Sequence, residues 1–305
     1  MAKSRSPLIQ ELLWRLEALG FDLFTAVARA APMEAWSAFF GAVARGVGPL
    51  TSAHRTARRG LKLAFPDMPE SEMGAILAAQ WDNFGRYLAE FPITDRLTPA
   101  GGRVDVSGAE RLKAIAQAGR PVVLISGHLS NVEVMAGAII EAGIPCQVTY
   151  RALNNPYVDR RVREGRFRYG VRLFAPKGAE GARELLAALG EGRSIAMLND
   201  QRYDGGVAGQ FFGRPVMTNP AGVRLAQRFG TIIQPMSIQR VGGGVRFRVV
   251  AHEPIEVPDT GNRTVDIAAG VAAVNAYIEA RVRERPGEWW WMHKRWPRED
   301  YATPD

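Results

Sequence analysis

Among 305 residues there is a single cysteine, Cys146, which excludes an intrachain disulfide and fits a reducing compartment. Four scattered histidines with no second cysteine give no Cys/His zinc ligand set. No run approaches the ~20 mostly apolar residues that cross a bilayer. Lys3 and Arg5 resemble the start of a signal peptide, but Glu11, Arg15, Glu17 and Asp22 follow with no small-residue cleavage site. No cleavable signal is therefore expected. The chain also lacks a G-x-S-x-G elbow, a P-loop and a G-x-G-x-x-G turn after a strand. Serine-hydrolase, NTPase and dinucleotide readings lose support accordingly. Internal repeats and low-complexity tracts are absent as well.

What is present has the composition of a folded protein, 47% hydrophobic and 23% charged, with ample length to bury a core. The net charge of +8 admits nucleic acid, an anionic membrane or an acidic protein as partner. Up to about residue 100 the pattern is helical. Leu8, Leu12, Leu16, Leu19, Leu23 and Val27 recur at three- and four-residue steps, so one face of the first helix is apolar and either packs on the body or lies in a lipid interface. Pro32 ends it. Further helices are expected at Met33–Ala44, over a short basic segment with Arg55, Arg58 and Arg59, and at Pro69–Phe91. Residues 99–102 punctuate their end.

The remainder, 101–305, alternates. β-rich runs at 121–126, 145–150, 171–175, 194–198, 231–238 and 245–250 interleave with helical stretches at 108–118, 130–142, 155–169, 178–190 and 219–229, and a last helix covers 265–285. Continuous apolar strands between helices predict an α/β fold with a mostly parallel central sheet flanked by helices. The last two runs, joined by three glycines from Gly242, predict an antiparallel hairpin at one sheet edge. We expect one continuous domain with a helical amino-terminal region.

The segment VVLISGHLSNVEVM places His128 at the carboxyl end of a buried strand, where open α/β sheets hold their ligands. Glu133 lies five residues on, giving H-x-x-x-x-E. An imidazole that takes a hydroxyl proton, steered by a carboxylate, is equipment for activating an alcohol. The alternative is structural: Ser130 and Glu133 also spell an S-x-x-E capping box, with His128 an ordinary loop residue. Arg151 and Asp200 both close β-rich runs, so a parallel sheet brings them to the edge that carries His128, as site residues or as a structural ion pair.

The chain resembles the lipid A biosynthesis lauroyl/myristoyl acyltransferase family, within the broader glycerolipid acyltransferase superfamily. The resemblance rests on SGHLSNVE at 126–133, VTYRALNNP at 148–156, MLNDQ at 197–201, the block from Phe211 to Pro235 and PGEWWWMHKRWP at 286–297. RRGLKLAFPD at 58–67 and NFGRYLAE at 83–90 match more loosely. It implies His128 as catalytic base and Glu133 as its carboxylate partner. For substrate binding it implies Arg151, then Asp200 and Gln201, and then Phe212, Gly213 and Thr218. Pro235 falls on the family's proline-containing strand motif. Thr218 also reads as a simple helix cap. One departure concerns the family's long apolar anchor, which Asp22, Arg29 and Pro32 interrupt here.

The resemblance further implies transfer of a fatty acyl group from acyl carrier protein, or from acyl-CoA, to a hydroxyl of a 3-hydroxyacyl chain on a Kdo-bearing lipid A precursor. No metal or organic cofactor is required, and the setting is the cytoplasmic face of a bacterial inner membrane, peripheral or monotopic. Between Arg151 and Arg172 the chain is rich in arginine. Arg163 and Arg166 there suit a phosphate-bearing lipid, an anionic membrane surface or an acidic carrier protein, or else make a solvated helix face. Trp289, Trp290, Trp291 and Trp296, interleaved with His293, Lys294 and Arg295, read either as a membrane-boundary cluster or as indoles packed on the core. No base-reading module accompanies the charge, and no nucleic-acid partner is expected. Two rivals stay open: the same chemistry on another acceptor, such as a phosphatidylinositol mannoside or a lysolipid, and a non-catalytic peripheral protein that binds anionic lipid.

Overall fold

The computed structural model describes residues 6–171, 174–175 and 178–302. Lys3, Arg5 and Arg172 lie outside them. The chain opens with four helices, α1 (Pro7–Ala30), α2 (Met33–Val47), α3 (Ser52–Ala64) and α4 (Glu70–Glu90). An α/β unit follows: β1 (Val104–Ser107), α5 (Ala109–Ala118), β2 (Val123–Ser126), α6 (Val132–Glu141), β3 (Cys146–Thr149), α7 (Pro156–Phe167), β4 (Phe174–Ala175), α8 (Ala179–Gly190) and β5 (Ser194–Leu198). The order closes with β6 (Arg202–Phe211), β7 (Arg214–Thr218), α9 (Ala221–Phe229), β8 (Ile233–Arg240), β9 (Phe247–Ala251) and α10 (Arg263–Glu284).

Seven strands form one sheet in the order β1-β9-β8-β2-β5-β3-β4. Every neighbouring pair is parallel except β8 with β9. The apolar run of β2 explains its central place, because both of its faces are covered. Val123 and Ile125 pack with Val223 of α9, Val271 of α10 and Leu61 of α3. Leu124 turns the other way, toward Leu112 of α5 and Val134 and Ile139 of α6. Alternation along one strand thus divides the core into two layers.

Two elements depart from the sequence reading. The β8–β9 hairpin forms but is not the edge, since β1 pairs outside it in parallel with β9. Four residues after a Pro-Gly-rich turn are too short a run to declare a strand. A second, two-stranded antiparallel sheet, β6 with β7, was also not anticipated. Its strands carry Gly205, Gly206, Gly209 and Pro215, residues that weaken the local β signal. No helix among the described residues is long and apolar enough to cross a membrane.

Candidate active site

β2 and β5 are parallel neighbours, with Ser126 opposite Leu198. Each chain runs two residues past that pair, to His128 and to Asp200, so sheet register alone brings the two side chains together. His128 Nδ1 lies 2.6 Å from Asp200 Oδ1, and the His128 backbone N–H donates to Oδ2 at 2.7 Å. The Trp289 indole N–H donates to that same oxygen, also at 2.7 Å. Burial would raise the Asp200 carboxyl, but the neighbouring His128 ring and the bonds from His128 and Trp289 outweigh it and hold the group below the usual carboxylate range. With Nδ1 committed to a carboxylate, the neutral ring presents its lone pair at Nε2, as a base should.

The turn after β2 is pinned from several sides. Gly127 permits the close approach, because a Cβ there would meet Asp200 Oδ2 at 3.2 Å. Ser130 adopts φ +47 and gives its N–H to the Glu288 carbonyl at 2.9 Å. The Trp290 N–H donates to the His128 carbonyl at 3.2 Å. Asn131 donates to Glu90 of α4 at 2.9 Å, and Glu90 forms a buried bidentate pair with Arg240 of β8 at 2.6 and 2.9 Å. The amino-terminal helices therefore help hold the turn that carries His128.

Glu133 occupies a different environment from the one its spacing suggests. It is the second residue of α6, and its carboxylate takes a bidentate pair from Arg166 of α7 at 2.9 and 2.5 Å and a bond from the Tyr169 hydroxyl. Burial opposes ionisation, yet Arg166 and the hydroxyls of Tyr169 and Tyr87 leave its pKa lowered. The expected contact of Glu133 with His128 is not formed; Asp200 is the carboxylate on that ring. The physical reason is direction: α6 turns Glu133 toward α7, while His128 reaches along the sheet edge to β5. Nor does the capping box close, because Asn131 is the N-cap residue and makes no side-chain cap bond.

Glu133 and Arg166 line a cavity of about 130 Å³ whose other walls are largely apolar, among them Leu124, Ile139, Val148, Met197 and Met236, and it extends to Ser126 at the end of β2. Cys146 also lines it, but burial pushes that thiol up to about 12, so it is no nucleophile at neutral pH.

The remaining predicted residues divide. Gln201 approaches His293, amide nitrogen to Nδ1, at 3.4 Å, and the His293 ring centre is 4.9 Å from that of His128. Arg151 is exposed, and the expected ion pair with Asp200 is not made, since both Asp200 oxygens are engaged by His128 and Trp289. Arg163 lies on the outer side of α7 with Arg160, beside an open surface depression. Phe212 and Gly213, at φ +53 and +68, are the two-residue turn of the β6–β7 hairpin. Thr218 is buried and bonds Asn275 and Arg295; it does not cap α9, where Asn219 takes the Ala221 N–H. These last three build the support behind the site and do not line its cavity. The tryptophan segment is core as well, with Trp289, Trp291 and Trp296 essentially buried, so these indoles pack on the body of the protein and form no membrane-boundary cluster.

The sequence reading missed the His128–Asp200 partnership, although both residues closing adjacent β-runs was its signal. It missed His293, Trp289, Tyr169 and Glu90 as neighbours of the site, because only tertiary packing brings them there. The imidazole–carboxylate pair lies at the carboxyl edge of a parallel sheet, where open α/β folds place their ligands, and the apolar cavity reaches Ser126, two residues before His128. The profile of bacterial lipid A biosynthesis acyltransferases matches residues 13–298, and the chain belongs to that family. It is 24% identical to the lipid A biosynthesis palmitoleoyltransferase of Escherichia coli (strain K12) over 260 residues, covering 84% of this chain and 81% of that protein. It is 27% identical to a lipid A biosynthesis acyltransferase of Haemophilus influenzae over 257 residues, 81% and 79% of the two chains. To the lipid A biosynthesis lauroyltransferase of Escherichia coli (strain K12) the identity is 23% over 256 residues, again 81% and 79%.

Proposed function

We propose that this acyltransferase moves a fatty acyl group from acyl carrier protein onto the hydroxyl of a 3-hydroxyacyl chain of a Kdo-bearing lipid A precursor, at the cytoplasmic face of the inner membrane. The reading rests foremost on the His128–Asp200 pair at 2.6 Å, set beside the apolar cavity. His128 Nε2 removes the hydroxyl proton, the alkoxide attacks the thioester carbonyl, and the carbon–sulfur bond breaks as the carrier thiolate leaves. Asp200 fixes the ring's tautomer and stabilises the imidazolium that forms. No acyl-enzyme is needed, and no metal or organic cofactor enters. Glu133 and Arg166 form an ion-paired polar wall of the cavity, and the Glu133 carboxylate, bonded to Arg166 and Tyr169, takes no proton from the acceptor.

Acyl carrier protein is the proposed donor. Arg151, Arg160 and Arg163 are exposed basic groups that an acidic carrier could meet, with Asp159 and Glu164 set among those of α7. A lysolipid or a phosphatidylinositol mannoside acceptor would use the same pair. Mass spectrometry of lipid A from a deletion strain separates these cases: loss of one secondary acyl chain is expected, and an unchanged lipid A overturns the acceptor assignment. A panel of acyl-carrier-protein and CoA thioesters offered to the purified protein decides the donor. A peripheral lipid-binding protein without activity would consume neither.

A further inference from the structure

The buried charges of the described residues sort into sets, with two left over. Glu90 pairs with Arg240 and Glu133 with Arg166. Asp266, in the first turn of α10, accepts the Thr260 N–H and hydroxyl at 3.1 and 2.7 Å, at a helix end that favours negative charge. Asp200 and Arg295 remain, opposite in sign and only 1% and 0% exposed. Arg295 forms no ion pair. Its side chain donates to three neutral oxygens, the Met217 carbonyl at 3.1 Å, the Thr218 hydroxyl at 2.7 Å and the Asn275 amide at 3.0 Å. A buried guanidinium with neutral partners alone is costly unless an anion stands near. The guanidinium lies 5.1 Å from the centre of the Phe211 ring, Phe211 packs on Trp289 at 5.8 Å, and Trp289 bonds Asp200 Oδ2. One phenyl ring and one indole thus join the two charges, in an apolar setting that screens them little. Burial pulls Arg295 down to about 10, with Asp200 and Tyr301 opposing it, so it is a cation at neutral pH.

We propose that Arg295 is the counter-ion of Asp200 and, through it, a positioning residue for proton transfer: it offsets the pull of the carboxylate on the imidazolium, so that Asp200 orients His128 without holding it in the protonated form. The inference rests on the proposed function in one respect, that His128 is the base. A carboxylate at hydrogen-bond distance favours the charged ring, and a nearby cation disfavours it. With both present the set is neutral before reaction. The proton then reaches the ring as the alkoxide forms, and no net charge is created in the dry site. Other titratable and charged groups face this set, and none puts a carboxylate on Arg295. His293 stands 4.9 Å from the His128 ring. Tyr301 accepts the Arg295 backbone N–H, and Lys294 lies 5.7 Å over the Tyr301 ring. On α3 Arg59 bonds the Asp300 carbonyl, and on β6 Arg202 pairs with Asp204. On α10 Glu279 accepts the Phe212 N–H and pairs with Arg283.

NMR titration of the histidine rings in the full chain, with His128 assigned through His128→Gln, tests this without any turnover. Arg295→Gln and Arg295→Met remove the cation, so protonation of the ring becomes easier and its midpoint should rise by about 1 pH unit. Arg295→Lys keeps the cation and should stay within about 0.3 unit of the wild type. The acid limb of kcat/KM for acyl transfer should move with the ring, so that the neutral variants lose about 10-fold below the limb and little above it. Both shifts should persist in a His293→Gln background. Unfolding gives an independent reading: Asp200→Asn/Arg295→Met should lose less than the sum of the two single losses, because neither charge is left stranded. A double variant that folds where Arg295→Met does not counts the same way. An unmoved His128 midpoint in a folded neutral variant, an Arg295→Lys shift as large as that of Arg295→Met, or additive unfolding losses would overturn the counter-ion. Shifts as predicted in a protein that transfers no acyl group leave Arg295 as the counter-ion and remove the proposed activity instead.

Discussion

At the residue scale, two buried carboxylates do different work because they have different partners. Asp200 faces an imidazole and two N–H donors; Glu133 faces a guanidinium and a phenol. Asp200→Asn keeps the shape but removes the charge that steadies the imidazolium and the acceptor that fixes the tautomer. A fall in kcat of roughly 10²–10⁴-fold is expected with little change in KM, read by steady-state assay of the folded variant. Glu133→Gln strands Arg166, which is largely buried. Its expected signature is a loss of about 3–5 kcal/mol in denaturant unfolding. Glu133→Gln/Arg166→Met should recover much of that loss, because the uncompensated charge is gone. The H-x-x-x-x-E spacing suggested Glu133 as the contact of His128, whereas the carboxylate against the ring is Asp200, 72 residues away and brought alongside by strand order.

Elements that declare themselves by a long period were readable: α4 and α10 fall within about two residues of the expected bounds, and β2 is where its apolar run placed it. Elements that depend on a partner were not. β1 exists because β9 offers it an edge, and the β6–β7 hairpin closes on Phe212 and Gly213, read at first as site residues. Their left-handed backbone is what the turn requires. Gly213→Ala, at φ +68, should cost about 1–2 kcal/mol in thermal or denaturant unfolding and leave the KM of folded protein unchanged. The tryptophan-rich terminus was equally ambiguous as sequence, because indoles serve a membrane boundary and a core alike. Packing resolves it: Trp289 closes on Asp200 and Trp296 on the Phe211 carbonyl at 3.2 Å.

For the whole molecule, pH and charge set the working conditions. Burial, with Arg281 and Arg111 nearby, lowers His252 to about 4, against ~6.5 for the ring in an unfolded chain. Between those values the unfolded chain binds a proton that the folded one refuses. Stability therefore declines as pH falls from about 6.5 toward 4 and is unaffected by this group above that window. His252→Gln should flatten this part of the acid limb when unfolding midpoints are compared with the wild type across pH 7.5 to 4.5. The fold class and the place of His128 at a strand end were thus legible in the sequence, whereas the outward turn of the α1 leucines was not, because periodicity defines an apolar face without saying which way it points.

The central claim is that His128 is the base that activates the acceptor hydroxyl. The most direct measurement is the single-turnover rate of His128→Ala with an acyl-carrier-protein thioester and the Kdo-bearing precursor, on protein whose unfolding midpoint equals that of the wild type. A rate lower by about 10²–10⁴-fold is predicted. A rate within a few-fold of wild type would contradict the account.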